Sequence, residues 1–233
     1  MTTTDIFLWI VIPYVSIAIF IVGHIWRYRR DQFRWTSQST QLLERRLLKW
    51  GSPLFHYGAL AVIAGHVIGI LIPKSATRAL GISESTYHFI VAAIPGTIAG
   101  LACLLGFLIL IYRRAAVRRV AVTTSYVDLL VYALLLYLIV TGDIETVFHN
   151  LLAGSSAYDY RRTVSIWFRG VFALQDHIRL MSTVPFVYQL HAVSAWAIIA
   201  LWPFTRLVHA WSIPLQYIGR PHILYRRRYQ TAA

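Results

Sequence analysis

Five stretches of the chain, each about twenty residues long and nearly free of charge, can each cross a hydrocarbon core about 30 Å thick. They run from Ile6 to Trp26, Trp50 to Pro73, Ser85 to Tyr112, Val120 to Gly142 with one acid at Asp128, and Leu180 to Thr205. In lipid every backbone polar group must be satisfied within the protein, and single runs of this length do so as helices. The fold class expected is therefore an all-α integral membrane protein with five transmembrane helices. Residues 1–233 read as one membrane domain with spans near 6–26, 50–73, 85–112, 120–142 and 180–209 and a tail over 210–233. The composition leaves no room for a second, soluble unit, because 58% of residues are hydrophobic and only 13% are charged.

Charge then orients the helices. Twenty-two Lys and Arg against nine Asp and Glu give a net charge of +13, which in a soluble protein would suggest nucleic acid. Here the charges sort by side. The connection Arg27 to Lys49 holds seven basic residues, the third connection holds four (Arg113, Arg114, Arg118, Arg119), and the tail from Arg206 holds five, against two and four in the other connections. Sixteen against six, with basic residues retained in the cytoplasm, predicts N-terminus out and C-terminus in, and no nucleic-acid partner. Met1–Asp5 carries an acid and no base, and no small-residue cleavage pattern follows, so the first apolar run is not read as a signal peptide. Trp35, Leu42, Leu43, Leu47, Leu48 and Trp50 recur at near-helical spacing in the first connection and predict an interfacial amphipathic helix. Ile166, Trp167, Phe168, Val171 and Phe172 predict another in the connection from Gly142 to Arg179.

The chemistry available is narrow. The single cysteine, Cys103, excludes a disulfide, a cysteine zinc site, a protein-bound iron–sulfur cluster and covalent c-type haem. Histidines remain. His56 and His66 lie in the second span, His191 in the fifth and His209 near its cytoplasmic end. Any one alone reads equally well as a residue hydrogen-bonded between helices, but an ionisable residue in hydrocarbon usually marks function. The second and fifth helices are antiparallel, so His56 matches His209 in depth on the cytoplasmic side, and His66 matches His191 on the outer side. Two cross-helix imidazole pairs are what two stacked six-coordinate b-type haems require. A di-iron site would need carboxylates, and H-E-x-x-H is absent.

Spacing tests the pairing. Ten residues from His56 to His66 correspond to about 15 Å of rise, whereas eighteen from His191 to His209 correspond to about 27 Å. A bend at Pro203, helix tilt or an inclined macrocycle must absorb the difference. Gly58, Ala61, Ala64, Gly65 and Gly69, with Ala192, Ser194 and Ala195, give a porphyrin small neighbours, although small residues also serve ordinary helix packing. His24, His88, His149, His177 and His222 sit at span ends or in polar connections and lack depth-matched partners.

Phe33-Arg34-Trp35-Thr36, Pro53-Leu54-Phe55-His56-Tyr57-Gly58, Gly65-His66, Leu190-His191 and Pro203-Phe204-Thr205-Arg206-Leu207-Val208-His209-Ala210-Trp211-Ser212-Ile213-Pro214 together resemble the gamma subunit of membrane-bound respiratory nitrate reductases, over essentially the whole chain. The last block is the most specific. The resemblance implies a five-helix cytochrome b of a prokaryotic cytoplasmic membrane, with His66 and His191 on an outer haem b and His56 and His209 on an inner one. It further implies an iron–sulfur beta subunit and a molybdenum-containing alpha subunit as cytoplasmic partners. Menaquinol or ubiquinol would be oxidised near the outer haem and protons released outside. Some members carry a lysine near the outer start of the third helix; here that region reads Ser83-Glu84-Ser85-Thr86-Tyr87-His88. Gly65, His66, Tyr87 and His88 are the quinol-site candidates, although Tyr87 and His88 also suit a membrane interface. Arg206 is a candidate partner for an inner-haem propionate or an interfacial anchor. The rival readings are a related cytochrome b of a sulfur-metabolising membrane complex, and a haem-free anchor or transporter.

Overall fold

The computed structural model of the chain describes residues 2–212 and Gly219, and the described residues are helical with no strand. Five helices are long and apolar enough to cross a membrane: Thr3–Arg30, Leu48–Leu71, Glu84–Ala116, Tyr126–Leu151 and Phe186–Phe204. They are called the first to fifth spans. The connections after the first and third spans, with the segment after the fifth, share one end, here the basic end. The two other connections lie at the far end. Val22, Leu60 and Ile90 are among many large apolar side chains that face outward, a surface that lipid covers and water would not.

Span limits follow local chemistry. The fourth span starts at Tyr126 rather than Val120 because Ser125 and Asp128 form a capping box, Asp128 N–H donating to Ser125 Oγ at 3.1 Å and Ser125 N–H to Asp128 Oδ2 at 3.0 Å. Val120 lies instead in the short helix Arg118–Ala121 and is fully buried. At its other end the span runs on past Gly142 to Leu151, which brings Asp143 and Glu145 inside it. The far-end turns of the first four spans are wide π-helical turns, at Phe7–Val11, Val67–Leu71, Tyr87–Ala93 and Glu145–Leu151, a form that recurs at functional positions.

The fifth span starts at Phe186, and the preceding residues form the separate turn Ile178–Met181. At the basic end it breaks. Regular helix ends at Leu201, a 3₁₀ turn covers Trp202–Phe204, Thr205 is extended (φ −119°, ψ 178°), and a second 3₁₀ segment, Arg206–Trp211, carries His209. Pro203 lacks an N–H and crowds the preceding turn. The freed carbonyls are taken by the first span. Arg27, 5% exposed, donates through Nη1 to Pro203 O at 2.5 Å and Thr205 O at 3.1 Å, and through Nη2 to Arg34 O at 2.9 Å. His209 therefore stands on a re-aimed segment rather than eighteen residues along a straight helix, which resolves the unequal histidine spacing.

The second and third spans pack backbone to backbone. A Cβ on Gly58 would stand 2.5 Å from Cys103 N, and one on Gly106 would stand 2.2 Å from Phe55 N. Gly58 thus serves helix packing. At the far end the amphipathic helix expected around Ile166–Phe172 is present as Val164–Ala173. Its Trp167 packs edge-on to Trp9 with ring centres 5.5 Å apart and donates to Trp9 O at 3.1 Å. The same segment covers the end of the second span, where four last carbonyls of a helix lack internal partners. Ser165 Oγ donates to Gly69 O at 3.1 Å, Arg169 to Ile70 O at 2.6 Å and Arg161 to Ile72 O at 3.1 Å. Two of these donors are cations at a helix C-terminus, which its dipole favours.

The first connection corrects the sequence reading. Between Gln32–Arg34, a 3₁₀ turn, and the second span there is no amphipathic helix, and Leu42 is fully exposed. The competing interaction is Arg113, 3% exposed, whose guanidinium donates to Glu44 Oε2 (2.6 Å), Thr40 Oγ1 (2.8 Å), Thr40 O (2.9 Å) and Glu44 O (2.7 Å). Thr40 O still accepts from Leu43 N–H at 3.0 Å and Glu44 N–H at 3.3 Å, a single turn, but Glu44 O goes to Arg113 instead of continuing a helix ladder, and the segment becomes a strap over the basic end. Partial burial pushes the Glu44 carboxyl up, but Leu47 N–H, at 2.8 Å, and Arg113 outweigh it and hold the group below the usual carboxylate range.

Replacing Arg113 by Met should cost about 3 kcal/mol, the scale for removing one partner of a buried charged pair. Because the Glu44 pKa is lowered on folding, the stabilisation it gives is present above the ordinary Glu value, about pH 4.3, and is lost as pH falls through the lowered folded value. Hydrogen exchange of residues 40–47, taken relative to the intrinsic rate of the unfolded chain at each pH, should therefore accelerate on acidification below about pH 4.3 in the parent. In Arg113→Met it should already be fast at neutral pH.

Candidate metal centre

Four histidines meet in two pairs between the second and fifth spans. The His66 and His191 ring centres are 5.9 Å apart with planes at 16°; those of His56 and His209 are 6.1 Å apart with planes at 74°. A metal–imidazole bond is about 2 Å long and the ring centre lies about 1 Å behind the nitrogen, so two rings facing across one metal have centres about 6 Å apart. Both pairs have that separation.

Their hydrogen bonds select the tautomer. His56 Nδ1 faces Ser52 O at 2.7 Å, His66 Nδ1 faces Val62 O at 2.8 Å, His209 Nδ1 faces Arg206 O at 2.6 Å, and His191 Nδ1 lies 3.1 Å from both Leu138 O and Thr141 Oγ1. A carbonyl can only accept, so each Nδ1 carries the proton and each Nε2 keeps its lone pair. No Nε2 of these four has a hydrogen-bond partner among the described residues. This is the arrangement that second-shell acceptors impose on metal-bound histidines. In the second span the acceptor is the helix's own carbonyl four residues back. For His191 it comes from the fourth span, and for His209 from the 3₁₀ segment beyond the Thr205 break. Thr205 Oγ1 caps that segment by accepting from Leu207 N–H at 3.2 Å.

Among the described residues no three or more His, Cys, Asp or Glu side chains converge as an ion site. A bare ion needs about four protein ligands, whereas a metal inside a macrocycle needs two axial ones. The surroundings fit a flat macrocycle. Ala64 and Gly65 are exposed on the second span next in sequence to the exposed His66, and beyond the neighbouring backbone nothing lies within 4 Å of where a Gly65 Cβ would stand; Ala61 instead lines a groove against the third span with Tyr57, Ile94 and Ile98. The small residues seen in the sequence thus divide: Gly58 packs a helix, Gly65 faces open space, and Gly69 meets the Tyr160 hydroxyl, 2.7 Å from where its Cβ would be.

The other sequence candidates have diverse neighbours. Tyr87 is 4% exposed and lies under the Arg161 guanidinium, 3.8 Å from its ring centre. Arg161 is itself buried, with Nε and Nη1 unpartnered. Tyr160 stands beside Tyr87, and burial pushes its phenol up, so it remains a neutral donor. His88 turns the other way, its Nε2 at 3.2 Å from Asn150 O on the fourth span. The structure thus brings neither Tyr87 nor His88 into contact with Gly65. Arg206 is held by Asp128, Nε at 2.8 Å and Nη2 at 2.7 Å from Oδ1, a pairing not read from the sequence; its Nη1 has only a long contact with Ser37 O at 3.5 Å. His24 shares the backbone bond, Nδ1 to Phe20 O at 2.7 Å, but tryptophans rather than a histidine surround it, with Trp35 and Trp211 ring centres at 5.8 and 6.2 Å. His222, Ile213, Pro214 and Arg226-Arg227-Arg228 lie outside the described residues.

Fold and site together define a polytopic helical membrane protein with two bis-histidine levels between one pair of antiparallel spans. The Nitrate reductase gamma subunit family matches residues 5–228. The chain is 44% identical over 221 residues to a nitrate reductase gamma chain of Bacillus subtilis, covering 95% of this chain and 97% of that one. It is 30% identical over 226 residues to the respiratory nitrate reductase 1 gamma chain of Escherichia coli, covering 97% and 98%. It is also 49% identical over 220 residues to a nitrate reductase-like protein, NarX, of Mycobacterium tuberculosis, covering 94% of this chain but only 33% of that longer protein. The chain belongs to the nitrate reductase gamma subunit family.

Proposed function

We propose that the protein is the dihaem cytochrome b subunit of a respiratory nitrate reductase. In this reading it oxidises menaquinol or ubiquinol near the outer face of a prokaryotic cytoplasmic membrane. It passes electrons to a cytoplasmic iron–sulfur beta subunit and a molybdenum-containing alpha subunit, and releases protons outside. The observation that carries the reading is the pairing of four histidines at two depths, each with its Nδ1 proton committed to an acceptor. The names of the Bacillus and Escherichia relatives favour nitrate reductase over a sulfur-metabolising complex.

Haem b, when bound, supplies a one-electron iron centre at each level. His66 and His191 would hold the outer group, His56 and His209 the inner one. The acceptors at Nδ1 keep the rings oriented and raise their donor strength. Arg206 keeps its Nη1 edge for an inner propionate while Asp128 holds the rest of the guanidinium. Arg161, with two buried N–H groups unpaired, is the matching cation at the far end. The open space at Gly65 supports its candidacy for quinol approach, with Tyr87 and His88 further out on the third span. The sixteen-to-six basic asymmetry supports N-terminus out and a cytoplasmic basic end. That end, from Arg27 to Lys49 and Arg113 to Arg119 together with the Arg226-Arg227-Arg228 tail, would dock the soluble subunits and contact anionic lipid.

His66→Ala should leave one haem in place of two, and His56→Ala should remove the other, as read by haem quantitation and redox titration of each variant. Retention of both six-coordinate haems in either variant would contradict the assignment. Replacing Gly65 by Leu should slow haem reduction by quinol at least tenfold while leaving reduction by dithionite intact; Tyr87→Phe and His88→Ala should each slow it less. Parent rates in all three, with both haems present, would move the quinol site elsewhere.

A further inference from the structure

The fourth span buries an acid that neither histidine pair uses. Glu145 is 9% exposed, its Oε1 is sealed without a partner, and no Lys or Arg pairs with it among the described residues. A buried carboxyl with no donor is costly and demands a reason, and in a membrane such a residue marks function by default.

Its position supplies the reason. Thr141 and Glu145 share one face of the fourth span, four residues apart, and Tyr188 and His191 share one face of the fifth, three apart. Thr141 Oγ1 lies 3.1 Å from His191 Nδ1. Glu145 and Tyr188 each lie one turn further toward the far end on these two faces. From there polar groups continue to the far surface. Asn150 Nδ2 donates to the Tyr188 hydroxyl at 3.0 Å and to Glu145 O at 2.8 Å, and Asn150 Oδ1 is a second buried acceptor without a donor. His88 reaches Asn150 O, the His149 ring lies 5.9 Å from that of Tyr188, and Tyr158, 5.1 Å from Tyr188, bonds Thr163 Oγ1 at 2.7 Å in the far-end connection. The titratable and charged groups around this region are Tyr188 on the fifth span, Tyr87 and His88 on the third, His149 on the fourth, and Tyr158, Tyr160 and Arg161 in the connection, while Asp143 points instead at Gly100 on the third span.

We propose that Glu145 is the proton acceptor for quinol oxidation, with Tyr188, His88 and His149 lining the exit to the outer side. The proposal rests on the quinol-oxidising reading and deepens it. Converting one quinol to quinone breaks two O–H bonds and removes two electrons. The two electrons would leave one at a time to the one-electron centre that His66 and His191 would hold, and from there toward the nitrate-reducing subunit. Each proton moves separately: a Glu145 carboxylate oxygen takes one, forming a carboxyl O–H, and yields it to the outer aqueous phase before accepting the next.

The test uses the whole complex in membrane vesicles, comparing the parent with Glu145→Gln and Glu145→Asp. In E145Q quinol-driven haem reduction should fall at least tenfold and lose the pH dependence seen in the parent, while dithionite-reduced spectra and both midpoint potentials stay unchanged. E145D should restore most of the rate. The oxidised-minus-reduced infrared difference spectrum should show a carboxyl C=O band in the parent that is absent in E145Q and shifted in E145D. E145Q with the parent's rate, pH profile and carboxyl band overturns the proposal, as does loss of haem in both variants, which would make Glu145 structural. A parent complex that holds both haems yet is not reduced by quinol would instead overturn the quinol reading itself.

Discussion

A histidine in a membrane helix has two ring nitrogens to satisfy, and the hydrogen bond at Nδ1 decides what the other can do. At His56, His66, His191 and His209 that bond goes to a backbone carbonyl, so four Nε2 lone pairs are left to meet across the second and fifth spans. Had any Nδ1 been the bare acceptor, its Nε2 would carry a proton and could not bind a metal. The architecture around the pairs serves this condition. The second and third spans are locked at Gly58 and Gly106, the helix Val164–Ala173 ties the far end of the second span to the first, and Arg27 holds the broken end of the fifth.

The break after Leu201 is what lets one pair of helices serve two levels. A straight fifth helix would carry His209 about 27 Å from His191, against about 15 Å between His56 and His66 on the second. Pro203 ends the helix, Thr205 is extended, and the 3₁₀ segment brings His209 to 6.1 Å from His56. Arg27 and the Asp128–Arg206 pair fix the two sides of that turn. Buried charge here positions a ligand: Arg27 meets carbonyls that the break would otherwise leave bare.

Much of this was legible in the residues. Apolar runs longer than a bilayer is thick admit few structures, so the five spans could be read, and depth-matching of histidines on antiparallel helices follows from span order alone. Less legible were features in which a polar side chain outbids the pattern. The apolar periodicity from Trp35 to Trp50 suggests a helix, but Arg113, distant in sequence, binds both the carboxylate and the carbonyl of Glu44 and stops the turn at Thr40–Glu44 from propagating. Ending the fourth span at Gly142 treated Asp143 and Glu145 as loop acids. Val147, Phe148 and Leu151 continue the apolar pattern beyond them, and that was the available signal that both acids lie within the helix. The Arg206–Asp128 pairing joins residues 78 apart and leaves no local trace.

Electron paramagnetic resonance of the fully oxidised complex shows whether each histidine pair holds one iron between two imidazoles. Parallel axial rings separate two iron d orbitals in energy, whereas rings near perpendicular leave them nearly equal and give larger g anisotropy. Planes at 16° for His66 and His191 and at 74° for His56 and His209 therefore predict two low-spin ferric signals, with the more anisotropic one belonging to the His56–His209 pair and missing from a His56 variant. A single low-spin signal, or a high-spin signal from either centre in the intact protein, would contradict that ligation.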